Sequence, residues 1–262
     1  MKRGLQAFTV RDFFKDKAQA RETYQKIAAV GYESVQTWAP HFMTEVELKE
    51  MLDDCGLVNC STGSDFETMK AGGAAITEAV KSAQLFNVKY ISVGTLPEPY
   101  RYSLDGIKRY AHDLNGIAAE LKKEGCVLLY HHHALEFYSF GGGINGMDIL
   151  VNETDPEGVY FMLDTHWLAA SGVDPVHWIN KVRGRMSIIH FKDYGIVEGA
   201  VKIEDVQKCF AEVGEGNINW LPIIQACRDI GVEHVIVEQD TCKGCPFDSI
   251  KISYDNLIKL GV

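Results

Sequence analysis

Long apolar runs are missing from this chain. No stretch approaches the roughly 18–20 apolar residues that cross a bilayer. The opening MKRGLQAFTVRDFF has neither the apolar core nor the cleavage site of a signal peptide, so a cytoplasmic protein is expected. An excess of positive charge is missing too: 26 Lys and Arg against 36 Asp and Glu give a formal net charge of −10. That balance argues against nucleic acid or an anionic membrane as the partner. The seven cysteines, at 55, 60, 126, 209, 227, 242 and 245, are odd in number and scattered, which argues against a disulfide framework. No linker rich in Pro, Gly or Ser divides the 262 residues. The Gly-rich stretch EVGEGNINW (212–220) lacks the Lys and Ser/Thr of a phosphate loop, which argues against nucleotide binding.

What is present is a steady alternation of short apolar runs with helical segments. The runs 4–10, 32–38, 57–62, 88–94, 126–132, 159–165, 186–193 and 232–239 read as strands. Apolar runs of about four to six residues, bounded by helical segments, are what buried parallel strands look like. Helices are expected at 17–30, 44–55, 71–86, 103–124, 145–152, 174–182, 219–230 and 247–259. Gly31, Gly56 and Gly125 are placed to end helices, and Thr44 with Glu47 forms a capping box. Eight strands alternating with helices predict a single (β/α)8 TIM barrel over residues 1–262. A doubly wound open sheet is the alternative that also alternates. GGG at 141–143 sits in the loop after the fifth strand and suits a loop that folds over a site.

Four residues follow separate apolar runs: Glu136 in VLLYHHHALEF, Asp164 in VYFMLD, His190 in MSIIH and Glu238 in HVIVE. In a barrel the C-terminal strand ends carry the active site. Any one of these residues alone is plainly accounted for as a solvated strand end. Three carboxylates and an imidazole from successive strands make a donor set for one divalent ion: Mn2+ first, with Mg2+, Co2+ or Zn2+ also compatible. In YHHH (130–133) the period of a strand puts His131 and His133 on one face and His132 on the other. His131 and His133 are therefore expected in the pocket and His132 at the surface. His166 shares parity with Asp164, and Lys192 shares parity with His190, so both are candidate substrate ligands. Pairing with Glu212, Glu215 or Asp193 is the plainer role for Lys192. Trp38, Phe8 and Trp167 are candidate walls for a sugar's apolar face. Arg183 and Arg185 precede the seventh strand and are expected to serve stability at the opposite end. CKGC (242–245) is a lone C-x-x-C, a weak redox or zinc signal, and two reduced thiols are expected.

YHHHALEF, LDTHW followed by AASGVDPV, IIHFKD, VGEGNINW and VIVEQD resemble, in order, the motifs of the sugar phosphate isomerase/epimerase family. That family has the xylose-isomerase-like TIM-barrel fold and includes inosose dehydratases, hydroxypyruvate isomerases, ketose 3-epimerases and enzymes acting on 3-keto sugars. The resemblance covers the chain and is strongest from 126 to 240. It implies that Glu136, Asp164, His190 and Glu238 hold one Mn2+-like ion, with Glu136 and Glu238 on opposite sides of a bound sugar. It also implies association as dimers or tetramers. The first motif departs from the usual Tyr-His-Asn-His, with His132 in place of the Asn, and CKGC is not a family feature.

The expected chemistry is removal of a proton beside a carbonyl through a metal-stabilised enediolate, with Glu238 as base and Glu136 or a histidine as acid. Return of the proton gives an isomerase or epimerase of a sugar or keto sugar. Loss of a β-leaving group gives a lyase or dehydratase of a 3-keto sugar, 3-keto glycoside or inosose. Few Arg or Lys stand at strand ends, which favours an unphosphorylated substrate. Two rivals are an apurinic-site endonuclease, opposed by the charge of −10, and a barrel that binds a sugar without turning it over.

Overall fold

A computed structural model describes residues 1–196 and 207–262. Its strands are β1 (Lys2–Gln6), β2 (Ser34–Gln36), β3 (Val58–Asn59), β4 (Thr62–Gly63), β5 (Tyr90–Gly94), β6 (Val127–His131), β7 (Ser139–Gly141), β8 (Ile144–Asn145), β9 (Val159–Asp164), β10 (Ile188–Phe191), β11 (Asp193–Ile196), β12 (Lys208–Ala211) and β13 (His234–Val237). The chain forms two compact units, Met1–Asn59 with Ile188–Val262, and Cys60–Ser187.

In the first unit β3, β2, β1, β13 and β10 pair in that order, all parallel. Leu5, Val35, Ile188, Ile189, Phe191, Val235, Ile236 and Val237 are buried. Consecutive buried residues on one strand mean that both faces of the sheet are covered, which is why these strands read as unbroken apolar runs. The helices Lys17–Val30, Glu45–Asp54, Trp220–Ile230 and Pro246–Lys259 belong to this unit. Asp16 caps the first by accepting from the Gln19 N–H (2.8 Å). Gly31 ends it in the left-handed conformation at φ 115°, where a side chain would run into the Tyr254 ring. The expected Thr44–Glu47 capping box is present.

In the second unit β4, β5, β6 and β9 pair in that order, again parallel, around buried Ile91, Leu128, Leu129, Tyr130, Phe161 and Leu163. Its longest helix, Leu104–Lys123, is capped by Ser103 and lays Ile107, Tyr110, Leu114, Ile117 and Leu121 inward, the 3.6-residue stripe of a helix on a sheet. Arg185 is buried and donates to the carbonyls of Val159 (3.0 Å) and Val151 (2.8 Å) and to Thr154 Oγ1 (2.6 Å).

The expected elements are present, most with shorter bounds, though the last helix begins one residue earlier, at Pro246. The first strand stops at Gln6, because 7–13 turns into a tight helix capped by the Gln6 side chain. The run 57–62 is two short strands rather than one. GGG lies in the small antiparallel hairpin β7–β8, with all three glycines at positive φ. A second hairpin, β11–β12, follows the seventh expected strand and has no counterpart among the expected elements. Among the described residues no helix is long and apolar enough to cross a membrane.

Candidate metal centre

In the first unit, β10 carries His190 and β13 leads into Glu238. The Cα partner of His190 is Ile236, so Glu238 lies two residues further on and faces the same side. His190 Nδ1 stands 2.9 Å from Glu238 Oε2. On the other edge of the ring, His190 Nε2 is 2.7 Å from Gln36 Oε1. That same oxygen accepts from Gln6 Nε2 (2.7 Å). Lys192 is buried, 2.7 Å from Asp240 Oδ1 and 3.5 Å from Glu238 Oε2, with its ammonium 5.1 Å from the Phe210 ring centroid. Among the described residues its ion pairs are thus with Asp240 and Glu238, and not with the expected Glu212, Glu215 or Asp193. Asp193 is occupied elsewhere: its carboxylate accepts the backbone N–H groups of Tyr194, Gly214, Gly216 and Ile218 and the Trp220 indole N–H. Trp38 is 44% exposed and tilts against Phe14 at 6.1 Å.

The second unit repeats the construction. The Cα partner of His131 on β6 is Met162 on β9, and Asp164 lies two residues beyond it. His131 Nε2 and Asp164 Oδ2 are 3.6 Å apart. Asp164 is fully buried and also caps the helix Thr165–Ala170 by accepting from the Trp167 N–H (3.1 Å). His133 tilts over His131 at 4.7 Å and over Trp167 at 5.4 Å. His166 meets Trp167 edge-on at 4.7 Å.

Two sequence expectations change here. His132 is not a surface residue: it is fully buried, and burial pushes its imidazole down to about 3. Its Nε2 accepts the Asp164 backbone N–H (3.1 Å), so the proton sits on Nδ1 and is donated to the His133 carbonyl (2.9 Å). It thereby ties the Asp164 strand end to the histidine strand. Glu136 is placed differently from the expectation as well. It lies in the short helical turn Leu135–Phe137 and is fully buried. Its oxygens accept from the Tyr130 hydroxyl and the His133 N–H (2.9 Å), and burial raises its pKa. Among the described residues His131, and not Glu136, is the group that stands with Asp164 as a candidate ion ligand. The signal for His131 was strand parity; a lone Gln36 or Gln6 carries none. Cys242 and Cys245 are free thiols.

A chain of parallel strands that each hand a polar residue to their C-terminal ends points to a barrel enzyme. The chain belongs to the xylose isomerase-like TIM barrel family, which it matches over residues 24–247. It is 32% identical over 166 residues to inosose dehydratase of Geobacillus thermodenitrificans, covering 58% of this chain and 51% of that protein. The chain thus spans about half the length of the curated relatives it matches. Among solved structures, a sugar phosphate isomerase/epimerase from Parabacteroides distasonis superposes with a TM-score of 0.79 at 22% identity, covering 98% of this chain and 93% of that one. The IOLI protein with a bound zinc atom superposes with a TM-score of 0.72 at 14% identity, covering 99% and 98%.

Proposed function

We propose that this chain, as a single barrel domain over residues 1–262, is a divalent-metal-dependent enzyme acting on an unphosphorylated keto sugar or inosose. His131, Asp164, His190 and Glu238 would hold one cation; each offers one ligand atom. In a TIM barrel the C-terminal strand ends make one active-site mouth. The observation that carries the proposal lies within the first unit: His190 Nδ1 and Glu238 Oε2 are 2.9 Å apart. A neutral imidazole nitrogen and an ionised carboxylate are both acceptors, so this pairing calls for a cation or a proton between them. Two imidazoles and two carboxylates suit a borderline divalent ion, and the zinc atom of the IOLI protein is in keeping with that.

When bound, such a cation supplies Lewis-acid stabilisation of negative charge on a substrate oxygen. The protein's own groups then divide the work. Glu238 takes the proton from the carbon beside the carbonyl. Lys192, 3.5 Å from that carboxylate, keeps positive charge beside it. With Glu136 buried and hydrogen-bonded through both oxygens, proton return falls to His133 or His166. Glu136 instead fixes the His133 backbone. Trp167 and Trp38 are proposed to wall the sugar.

Resemblance to inosose dehydratases favours loss of a β-hydroxyl, as water, after proton removal. Isomerisation or epimerisation uses the same steps up to that point and ends with return of the proton. The test is incubation in D2O with an inosose and, separately, with ketohexoses, following deuterium uptake by NMR and dehydration by the absorbance of the conjugated product. Product absorbance with the inosose supports the dehydratase. Deuterium uptake without dehydration supports an isomerase or epimerase. Turnover that survives exhaustive chelation, or exchange undiminished in Glu238→Gln, removes the metal or the base from the mechanism.

A further inference from the structure

We propose that Gln36, oriented by Gln6, is a positioning residue that fixes the protonation pattern of the His190 ring and presents its Nδ1 lone pair to the cation. The proposal rests on the metal-binding function above and adds two residues to it. The Phe8 N–H can only donate, and it lies 3.3 Å from Gln6 Oε1. That identifies the oxygen of the Gln6 amide and leaves its NH2 at the other end. The NH2 donates to Gln36 at 2.7 Å, so the atom it meets is the Gln36 oxygen. The same oxygen is 2.7 Å from His190 Nε2. Two acceptors do not sit at that distance, so Nε2 carries the proton. With the cation of the proposed function held by both His190 Nδ1 and Glu238 Oε2, which are 2.9 Å apart, no proton is needed between them, and the neutral ring has its lone pair on Nδ1.

The relay is built into the sheet. Gln6 and Gln36 are Cα partners on β1 and β2, and all of its members lie in the first unit. Gln36 is 7% exposed and His190 is 1% exposed, so water does not readily replace the amide oxygen as acceptor. Outer partners of this kind set the tautomer and ring orientation of a ligating histidine, and their loss costs about 10- to 100-fold in metal affinity.

The probe is Zn2+, with its dissociation constant measured by competition against a chromogenic chelator. Gln36→Leu should weaken binding about 10- to 100-fold. Gln36→Glu, which still offers an oxygen to Nε2–H, should hold within a few-fold of the parent. Equal Zn2+ affinity of the parent and Gln36→Leu overturns the proposal. A second measurement needs no metal. In 15N-labelled protein the His190 ring should show a protonated, hydrogen-bonded Nε2, and that signal should vanish or shift in Gln36→Leu. An unprotonated Nε2 in the parent overturns the relay on its own. If the parent binds no Zn2+ while its Nε2 is protonated as expected, the metal-binding function fails and the relay stands.

Discussion

Asp193 offers the sharpest test of how the loop beside β10 is held. Its two carboxylate oxygens receive five N–H donors: Tyr194 (2.8 Å) and Ile218 (3.3 Å) on Oδ1, and Gly214 (3.0 Å), Gly216 (3.3 Å) and the Trp220 indole (2.7 Å) on Oδ2. The side chain is fully buried, and a Cβ on Gly216 would run into it. In Asp193→Asn one oxygen becomes an NH2 of nearly the same shape. Placed at Oδ1 it confronts two donors, and placed at Oδ2 it confronts three, so at least two N–H groups lose their acceptor. All of these bonds but that of Trp220 are only part-buried, so each lost acceptor counts near the lower end of about 1–3 kcal/mol and the cost is about 2–3 kcal/mol, a sizeable share of the about 5–15 kcal/mol that holds a typical protein folded. With an m-value of about 3 kcal/mol/M, the urea midpoint should fall by about 0.7–1 M. Far-UV circular dichroism reads the midpoint without relying on Trp220. Trp220→Phe, which removes one donor and keeps the carboxylate, should move it less. An Asp193→Asn midpoint within about 0.3 M of the parent would refute the count of donors as the source of the loop's order.

Three further outcomes are expected. Arg185→Met strips the buried carbonyls of Val159 and Val151 and the Thr154 hydroxyl of their donor; a loss of about 3 kcal/mol should lower Tm by about 6–12 °C, and an unchanged melting curve would count against the role of this guanidinium. With Ellman's reagent the exposed Cys245 should react in the native protein, whereas Cys60 and Cys227, whose thiols burial pushes up to about 12, should react only in denaturant; peptide mapping that finds either of the latter modified early contradicts their burial. Glu47 is held down to about 2 by the Lys17 ammonium and the Thr44 N–H, so its contribution is full above its ordinary value of 4.5 and fades as pH falls toward 2; the Tm gap between the parent and Glu47→Gln should accordingly shrink on acidification through that window, and a gap that widens would reverse the assignment.

Much of the fold was legible because its determinants are local. Parallel strands covered on both faces carry unbroken apolar runs, and 127–130, 159–163 and 235–237 announce themselves that way. Gly31 and the Thr44–Glu47 box mark helix ends through chemistry confined to one turn. The site was legible only in part, for reasons that are not local. Strand parity correctly set His131 and His133 apart from His132, but parity says which way a side chain points, not what covers it. The expectation of a surface position for His132 failed because the Asp164 backbone supplies a partner 32 residues away. The β11–β12 hairpin was missed because Asp193–Ile196 and Lys208–Ala211 are only four residues each, the lower limit at which alternation can be read as a strand. Gln6 and Gln36 were invisible for a simpler reason: an amide has no sequence signature until its neighbour across the sheet is known.

The two histidine–carboxylate pairs show what that missing knowledge consists of. In each, an imidazole stands at or one residue before the end of one strand, and the acid stands two residues past the imidazole's register partner on the next: His131 opposite Met162 with Asp164 beyond, and His190 opposite Ile236 with Glu238 beyond. Because side chains alternate with a period of two, a slip of one residue in either pairing would turn the acid to the opposite face of its sheet. The apolar runs that bury both faces do not themselves resist such a slip, since Ile, Val and Leu at neighbouring positions are nearly interchangeable. Polar contacts do: Asp164 N–H on His132, and Gln6 on Gln36 across β1 and β2, each join only in the observed register. The residues beside the candidate ligands therefore fix strand alignment as well as the orientation of those side chains, so substitutions there should weaken sheet order along with the proposed ion binding.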